Sequence, residues 1–180
     1  MKTILILRHA KSDWSDPNLD DFDRPLNKRG LSDAPRMGKV LLSAEQIPDR
    51  IISSPARRAK QTAKLVAEAC NYKGSIQWED AFYGAGSADL IAALKQLPLE
   101  VNMCMLIGHN PTMEETVASL CTTSAGISPW GNVDGSDFSI IMPTSGLACL
   151  QVDIDDWADL KPGIAILKWF IIPRLIKTIQ

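Results

Sequence analysis

The sequence predicts an α/β fold: a three-layer sandwich in which helices flank a mostly parallel central sheet. Three features carry that expectation. Short runs of branched apolar residues recur along the chain, among them "ILIL" and "MCMLIG", and stretches with helical spacing separate them. The only two histidines, His9 and His109, each directly follow such a run.

Taken in order, residues 3–7 read as a strand buried on both faces, and the polar stretch from Lys11 to Arg29 reads as a long loop. Loops of that length usually carry function or move. Between Ser32 and Ala44, the spacing of Ala34, Met37, Leu41 and Ala44 fits one helical face, with Pro35 tolerated by placement in the first turn. "RIISS" is the next short strand. "SPARRAKQTAKLVAEAC" then opens a helix, with Ser54 as its N-cap and Pro55 as its first residue.

"SIQW" is a weak strand, "SADLIAALKQL" a helix capped by Ser87, "VNMCMLIG" a buried strand and "PTMEETVASLC" a helix. Turn chemistry runs through "SAGISPWGNVDGSD", and the role of the 122–137 loop stays open at this level. "GLACLQVDI" and "GIAILKWFII" read as strands closing a sheet edge, with "DDWADLKPG" as the turn between them. With no repeat, low-complexity tract or linker, residues 1–180 are expected to form a single domain.

Composition narrows the function classes. A net charge of -2 offers no general attraction to nucleic acid or anionic membrane, so any basic site must be local. The five tryptophans (Trp14, Trp78, Trp130, Trp157, Trp169) lie without interleaved basic runs, which argues against nucleic-acid binding. Cys70, Cys104, Cys121 and Cys149 are far apart with no CxxC pair, and buried reduced thiols are expected. "ILIL" is too short for a secretory h-region, and Lys168, Pro173 and Arg174 interrupt the apolar C-terminal run. A cytoplasmic protein without membrane attachment is the resulting expectation.

In open α/β sheets, ligands bind beyond the carboxyl ends of the strands, so the two histidines point to one candidate site. The strand "RIISS" ends near the same edge, just before a helix whose opening turn carries Arg57 and Arg58. Cations there oppose the helix dipole, and a bound anion would remove the conflict. Guanidinium forks and free N–H groups together suit a phosphate. In "GHNPT", Gly108 would let the backbone approach a ligand, while Asn110 and Pro111 suit a helix cap and first position.

The segments "LRHAKSDW", "SSPARRAKQTA" and "GHNP" together resemble the histidine phosphatase superfamily, the phosphoglycerate-mutase-like group, and within it the small phosphohistidine phosphatase branch. The Arg-His-Gly triplet of that family is represented by Arg8, His9 and Ala10, with alanine in the place of the glycine; its Ser-x-x-x-Arg-Ala-x-x-Thr-Ala motif is met by residues 54–63, with Arg58 in the arginine place, and its Gly-His by Gly108 and His109. "DRPLNKRG" is similar to the segment that leads into the family's first long helix. The likeness implies a phosphoglycerate-mutase-like fold and a phosphatase with His9 as covalent nucleophile and Arg8, Arg58 and His109 around the phosphoryl group.

The family's proton donor, a glutamate after the third strand, has no clear match; Glu79 and Asp80 are the nearest residues, with Asp13 and Asp23 further options. The small phosphohistidine phosphatases manage without that acid. Lys11, Ser12, Trp14, Arg57 and Asn110 are the remaining candidates for substrate contact. The implied reaction needs no metal and no cofactor. Its expected partner is a phosphorylated protein, bearing phosphohistidine, or a small phosphoester. Two alternatives stand beside it: a sugar-phosphate phosphatase or mutase, and a noncatalytic phosphate-binding module.

Overall fold

A computed structural model describes residues 1–84, 86–121, 127–128, 131–132 and 140–176. Its main sheet contains β1 (Lys2–Arg8), β2 (Arg50–Ser53), β3 (Ile76–Trp78), β4 (Met103–Gly108), β7 (Leu147–Val152) and β8 (Ala165–Ile171), in the spatial order β3-β2-β4-β1-β7-β8. The first four strands run parallel, and β7 and β8 are antiparallel additions beyond β1. The expected mostly parallel α/β sandwich is what forms. Two described pieces of the turn-rich stretch, β5 (Ile127–Ser128) and β6 (Gly131–Asn132), make a small antiparallel ladder; the rest of the 122–137 segment lies outside the described residues.

Alternation along β1 explains why a run without polar residues is stable there. Ile4 and Ile6 face a core shared with α3 (Ser87–Lys95) and α4 (Thr112–Cys121), while Leu5 and Leu7 face a second core under α1 (Lys28–Ser43) and α2 (Arg57–Ala69). All four side chains are fully buried. The strand is therefore central, and its carboxyl end opens in the middle of the sheet edge. The four cysteines are buried and free. Among the described residues, no helix is long and apolar enough to cross a membrane.

The starts of three helices depart from the sequence expectation. α1 begins at Lys28, not Ser32, because the Asn27 side chain accepts the Gly30 N–H at 2.9 Å. Pro35 consequently lies inside the helix, not in its first turn. The hydrogen bond it deletes is to the carbonyl of Leu31, a residue on the exposed side, where water can serve. α2 begins at Arg57, with Ala56 and not Ser54 as the boundary residue, and α3 is capped at Gly86, whose N–H goes to the Asp89 carboxylate at 2.9 Å.

The loop after β1 is pinned at its base. Asn27 N–H donates to the Lys11 carbonyl at 3.0 Å, Asp13 N–H to Pro25 at 2.8 Å, and Ser12 pairs with Leu26. Gly30 allows this closeness, since a Cβ there would stand 2.3 Å from the Lys11 oxygen. The tip between these anchors, from Trp14 to Asp23, is mostly exposed.

Candidate active site

Register builds the site. β1 and β4 pair with Arg8 opposite Gly108, so the next residues, His9 and His109, leave adjacent parallel strand ends side by side. His9 N–H still donates to Gly108 at 2.9 Å, and the two imidazole centroids lie 5.0 Å apart. β2 pairs with β4 so that Ser53 stands opposite Ile107, and the following Ser54 places its Oγ 2.9 Å from His109 Nε2. Ser54 Oγ also accepts the Ala56 N–H at 3.3 Å. The serine read as a helix cap is thus the partner of the second histidine.

His9 is held in one tautomer. Its Nδ1 lies 2.7 Å from the Ala10 carbonyl, which can only accept, so Nδ1 carries the proton and Nε2 keeps the lone pair. Ala10 N–H in turn donates to Thr62 Oγ1 at 3.0 Å, and Thr62 donates to the Arg58 carbonyl at 2.7 Å, tying the nucleophile's strand end to α2. Burial pushes the His9 imidazole down to about 3; the Ala10 carbonyl opposes the shift, and the charges of His109, Arg58 and Arg8 add to it. Burial likewise pushes His109 down to about 4, Arg58 and Arg8 adding and Asp21 opposing. Both rings are neutral at pH 7.

These depressed values carry a stability consequence. An unfolded imidazole takes a proton near pH 6.5, whereas the folded rings do so only near 4 and 3. Stability is therefore complete above about pH 6.5 and is lost on acidification down to the folded values, at roughly 1.4 kcal/mol per pH unit for each ring. Urea midpoints between pH 7 and pH 4 are expected to fall for the wild type and to fall about half as steeply for His9→Asn; parallel curves would contradict this origin.

Arg58 is buried, 6% exposed, and lines a cavity of about 630 Å³ together with Phe82, Tyr83, His109, Asn110 and Glu115. Its guanidinium donates to the backbone oxygen of Asp21 and, at 2.9 Å, to Asp21 Oδ2. Tyr83 hydroxyl donates to the same Oδ2 at 3.0 Å, and Arg24 pairs with Oδ1. The Tyr83 ring stands edge-on to His109 with centroids 5.8 Å apart. Arg8 donates to the Met142 carbonyl at 2.7 Å, and Asn110 Nδ2 donates to the same oxygen at 3.0 Å. Arg8 Nε, Asn110 Oδ1 and His109 Nδ1 are buried without a hydrogen-bond partner among the described residues.

The structure thus gathers His9, His109, Arg8, Arg58 and Asn110. Of these, Arg58, His109 and Asn110 line the cavity, while His9 and Arg8 lie beside it and not in its wall, and the other sequence candidates stand apart from it. Glu79 and Asp80 open the turn that leads to Phe82 and Tyr83. Lys11 is exposed and contributes its backbone carbonyl to the loop base, and Ser12 is buried in its bridge to Leu26. Trp14 is exposed, with the Arg24 guanidinium stacked 3.2 Å above its ring, and borders a smaller cavity with Asp21. Arg57 is exposed and reaches the Asp23 carbonyl at 3.4 Å. Asp13 accepts the Ser15 N–H at 2.9 Å. Gly108 has a packing reason: the Met113 methyl would lie 2.5 Å from an added Cβ. Among the described residues, no three His, Cys, Asp or Glu side chains gather in a group that could hold a metal.

Sequence reading passed over Asp21, Tyr83 and Ser54's bond to His109, and met Thr62 only as the threonine of the 54–63 motif. Asp21 is one of five aspartates between residues 13 and 23, and nothing local distinguishes it from its neighbours.

The fold is that of the phosphoglycerate-mutase-like class, and similarity to known proteins makes this one a phosphatase within it. Residues 4–82 match the model of the histidine phosphatase superfamily, branch 1. A crystal structure from Agrobacterium tumefaciens that bears the name phosphohistidine phosphatase SixA is 32% identical, with a TM-score of 0.75 over 96% of this chain and 98% of that one. A protein histidine phosphatase SixA complexed with tungstate shares the fold at 23% identity and a TM-score of 0.73, over 97% of this chain and 99% of that one. An uncharacterised Mycobacterium tuberculosis protein is 32% identical over 168 residues, 93% of this chain and all of the relative. The chain belongs to the histidine phosphatase superfamily, in its SixA-like branch.

Proposed function

We propose that the protein hydrolyses a phosphoryl group through a covalent phosphohistidine on His9, and that its substrate is phosphohistidine carried by a protein. The observation that carries this reading is the strand register that sets His9 beside His109, with Nδ1 of His9 committed to Ala10 and Nε2 left with its lone pair. Nε2 attacks phosphorus as the bond to the leaving group breaks. Water then attacks phosphorus, the P–N bond to His9 breaks, and inorganic phosphate leaves. Phosphoryl transfer depends on positioning and on fixed positive groups around the equatorial oxygens, which Arg58, Arg8 and His109 supply.

The substrate class follows from chemistry and access. A phosphoramidate nitrogen takes up a proton more readily than an ester oxygen, so departure from nitrogen needs less help from a built acid. Tyr83 at the cavity wall and Trp14 beyond it are 40% and 69% exposed, which leaves room for a side chain presented by a folded partner. The name borne by the Agrobacterium tumefaciens neighbour agrees with this substrate.

Rapid quench with radiolabelled phosphohistidine protein is expected to trap an acid-labile, base-stable phosphate on His9. An acid-stable adduct, or none on His9, would overturn the mechanism. Rates on phosphohistidine above those on sugar phosphates and aryl phosphates are the expected order, and the reverse order would overturn the substrate assignment.

A further inference from the structure

Arg58 presents the planar fork that suits a phosphoryl group, yet here the fork already holds an anion. Asp21 occupies it with both a carboxylate oxygen and its backbone oxygen, and Tyr83 closes over the same carboxylate. Burial pushes the Asp21 carboxyl up, but the charge of Arg58, the hydrogen bonds from Tyr83 and Arg58 and the charge of Arg24 outweigh it, so the group is held below its ordinary value and stays ionised. A carboxylate and a phosphoryl group cannot share one guanidinium edge.

Resting on the phosphatase reading above, we infer that Asp21 is a displaceable counter-ion of the phosphoryl cradle: substrate enters by taking Arg58 from it, and the swap weakens retention of product phosphate. Three features fit such an exchange. Asp21 sits in a three-residue turn, Asp21–Asp23, with no buried residue, in the exposed part of a loop that is paired along its backbone at the base and held near its tip by side chains: Arg58 and Tyr83 on Asp21, the Phe22 ring edge-on to Tyr83, and Arg57 on the Asp23 carbonyl. The displaced carboxylate keeps a partner, because Oδ1 already pairs with Arg24, and Arg24 is fixed by burial and by stacking on Trp14. Departure of Asp21 also frees the Tyr83 hydroxyl at the wall of the cavity that Arg58 and His109 line.

The energetic logic is competition. A ligand that needs a fork closed about nine-tenths of the time binds about tenfold more weakly than it would to an open one. A dianionic phosphoryl group brings more negative oxygens than one carboxylate and can win the exchange. Free phosphate suffers the same handicap as substrate but has no remaining contacts to offset it, so the device favours release after hydrolysis.

The test is inhibition of para-nitrophenyl phosphate hydrolysis by inorganic phosphate, in the wild type and in Asp21→Asn. The expected result is an inhibition constant about tenfold lower in the variant, with KM falling in parallel and kcat no higher. Phosphate is also expected to raise the melting temperature of Asp21→Asn more than that of the wild type. Tyr83→Phe, which removes one partner of the carboxylate, should shift the inhibition constant the same way by a smaller factor, and serves if Asp21→Asn does not fold. An unchanged or higher inhibition constant in both variants of an active enzyme would overturn the exchange and make Asp21 a support for Arg58. If the wild type itself neither hydrolyses the aryl phosphate nor binds phosphate, the phosphatase reading fails and the exchange fails with it.

Discussion

His9→Ala is expected to lower kcat on para-nitrophenyl phosphate by about 10⁴ or more, because loss of the attacking nitrogen removes the covalent route and not merely one contact. The protein should remain folded. His9 is neutral at pH 7, its backbone N–H to Gly108 does not depend on the side chain, and Thr62 continues to hold Ala10. Far-UV circular dichroism and a cooperative melt would establish that the loss is chemical. A folded variant with more than about a tenth of wild-type turnover would require a different nucleophile.

The second large effect is expected at Arg58→Lys. Lysine keeps the charge but not the planar fork, and an ammonium on a flexible stem cannot donate two parallel hydrogen bonds to phosphoryl oxygens. Loss of one fixed donor to a developing oxyanion typically costs about 10²–10³ in rate, and a reduction of that order in kcat/KM is expected. Arg58 is buried and its carbonyl accepts from Thr62, so part of the change could arise from packing. Steady-state kinetics separates the two: lost transition-state stabilisation lowers kcat, while simple loosening of the cavity raises KM alone. A variant within about threefold of wild type would show that the fork is not needed.

Much of the architecture is legible in local pattern. β1 and β4 are continuous apolar runs because both faces of a central parallel strand are buried, and the helices between strands show their inward faces at 3.6-residue spacing. The polar residues that end those two runs, Arg8 with His9 and then His109, are conspicuous for the same reason, since nothing about strand exit requires them. Less of the boundary detail is legible. Ser54 and Pro55 carry every local sign of a helix start, yet the helix begins at Arg57 because Ser54 Oγ is turned to His109, a partner 55 residues away. The start of α1 is misplaced by the sequence for the opposite reason: Asn27 is a good cap, but it sits in a polar stretch whose pattern reads as loop until Gly30 packs on Lys11.

Local chemistry alone therefore determined the fold class, the order of elements and the residue types able to handle a phosphoryl group, because side-chain burial and turn preference act over a few positions. Tertiary structure decided which of those residues meet. Parallel pairing of β1 with β4 converts two distant strand ends into one pair of imidazoles, and a loop closing over α2 selects Asp21 from among similar aspartates as the partner of Arg58. Register and loop closure are set by packing between segments far apart in the chain, and no window of sequence contains both sides of that contact.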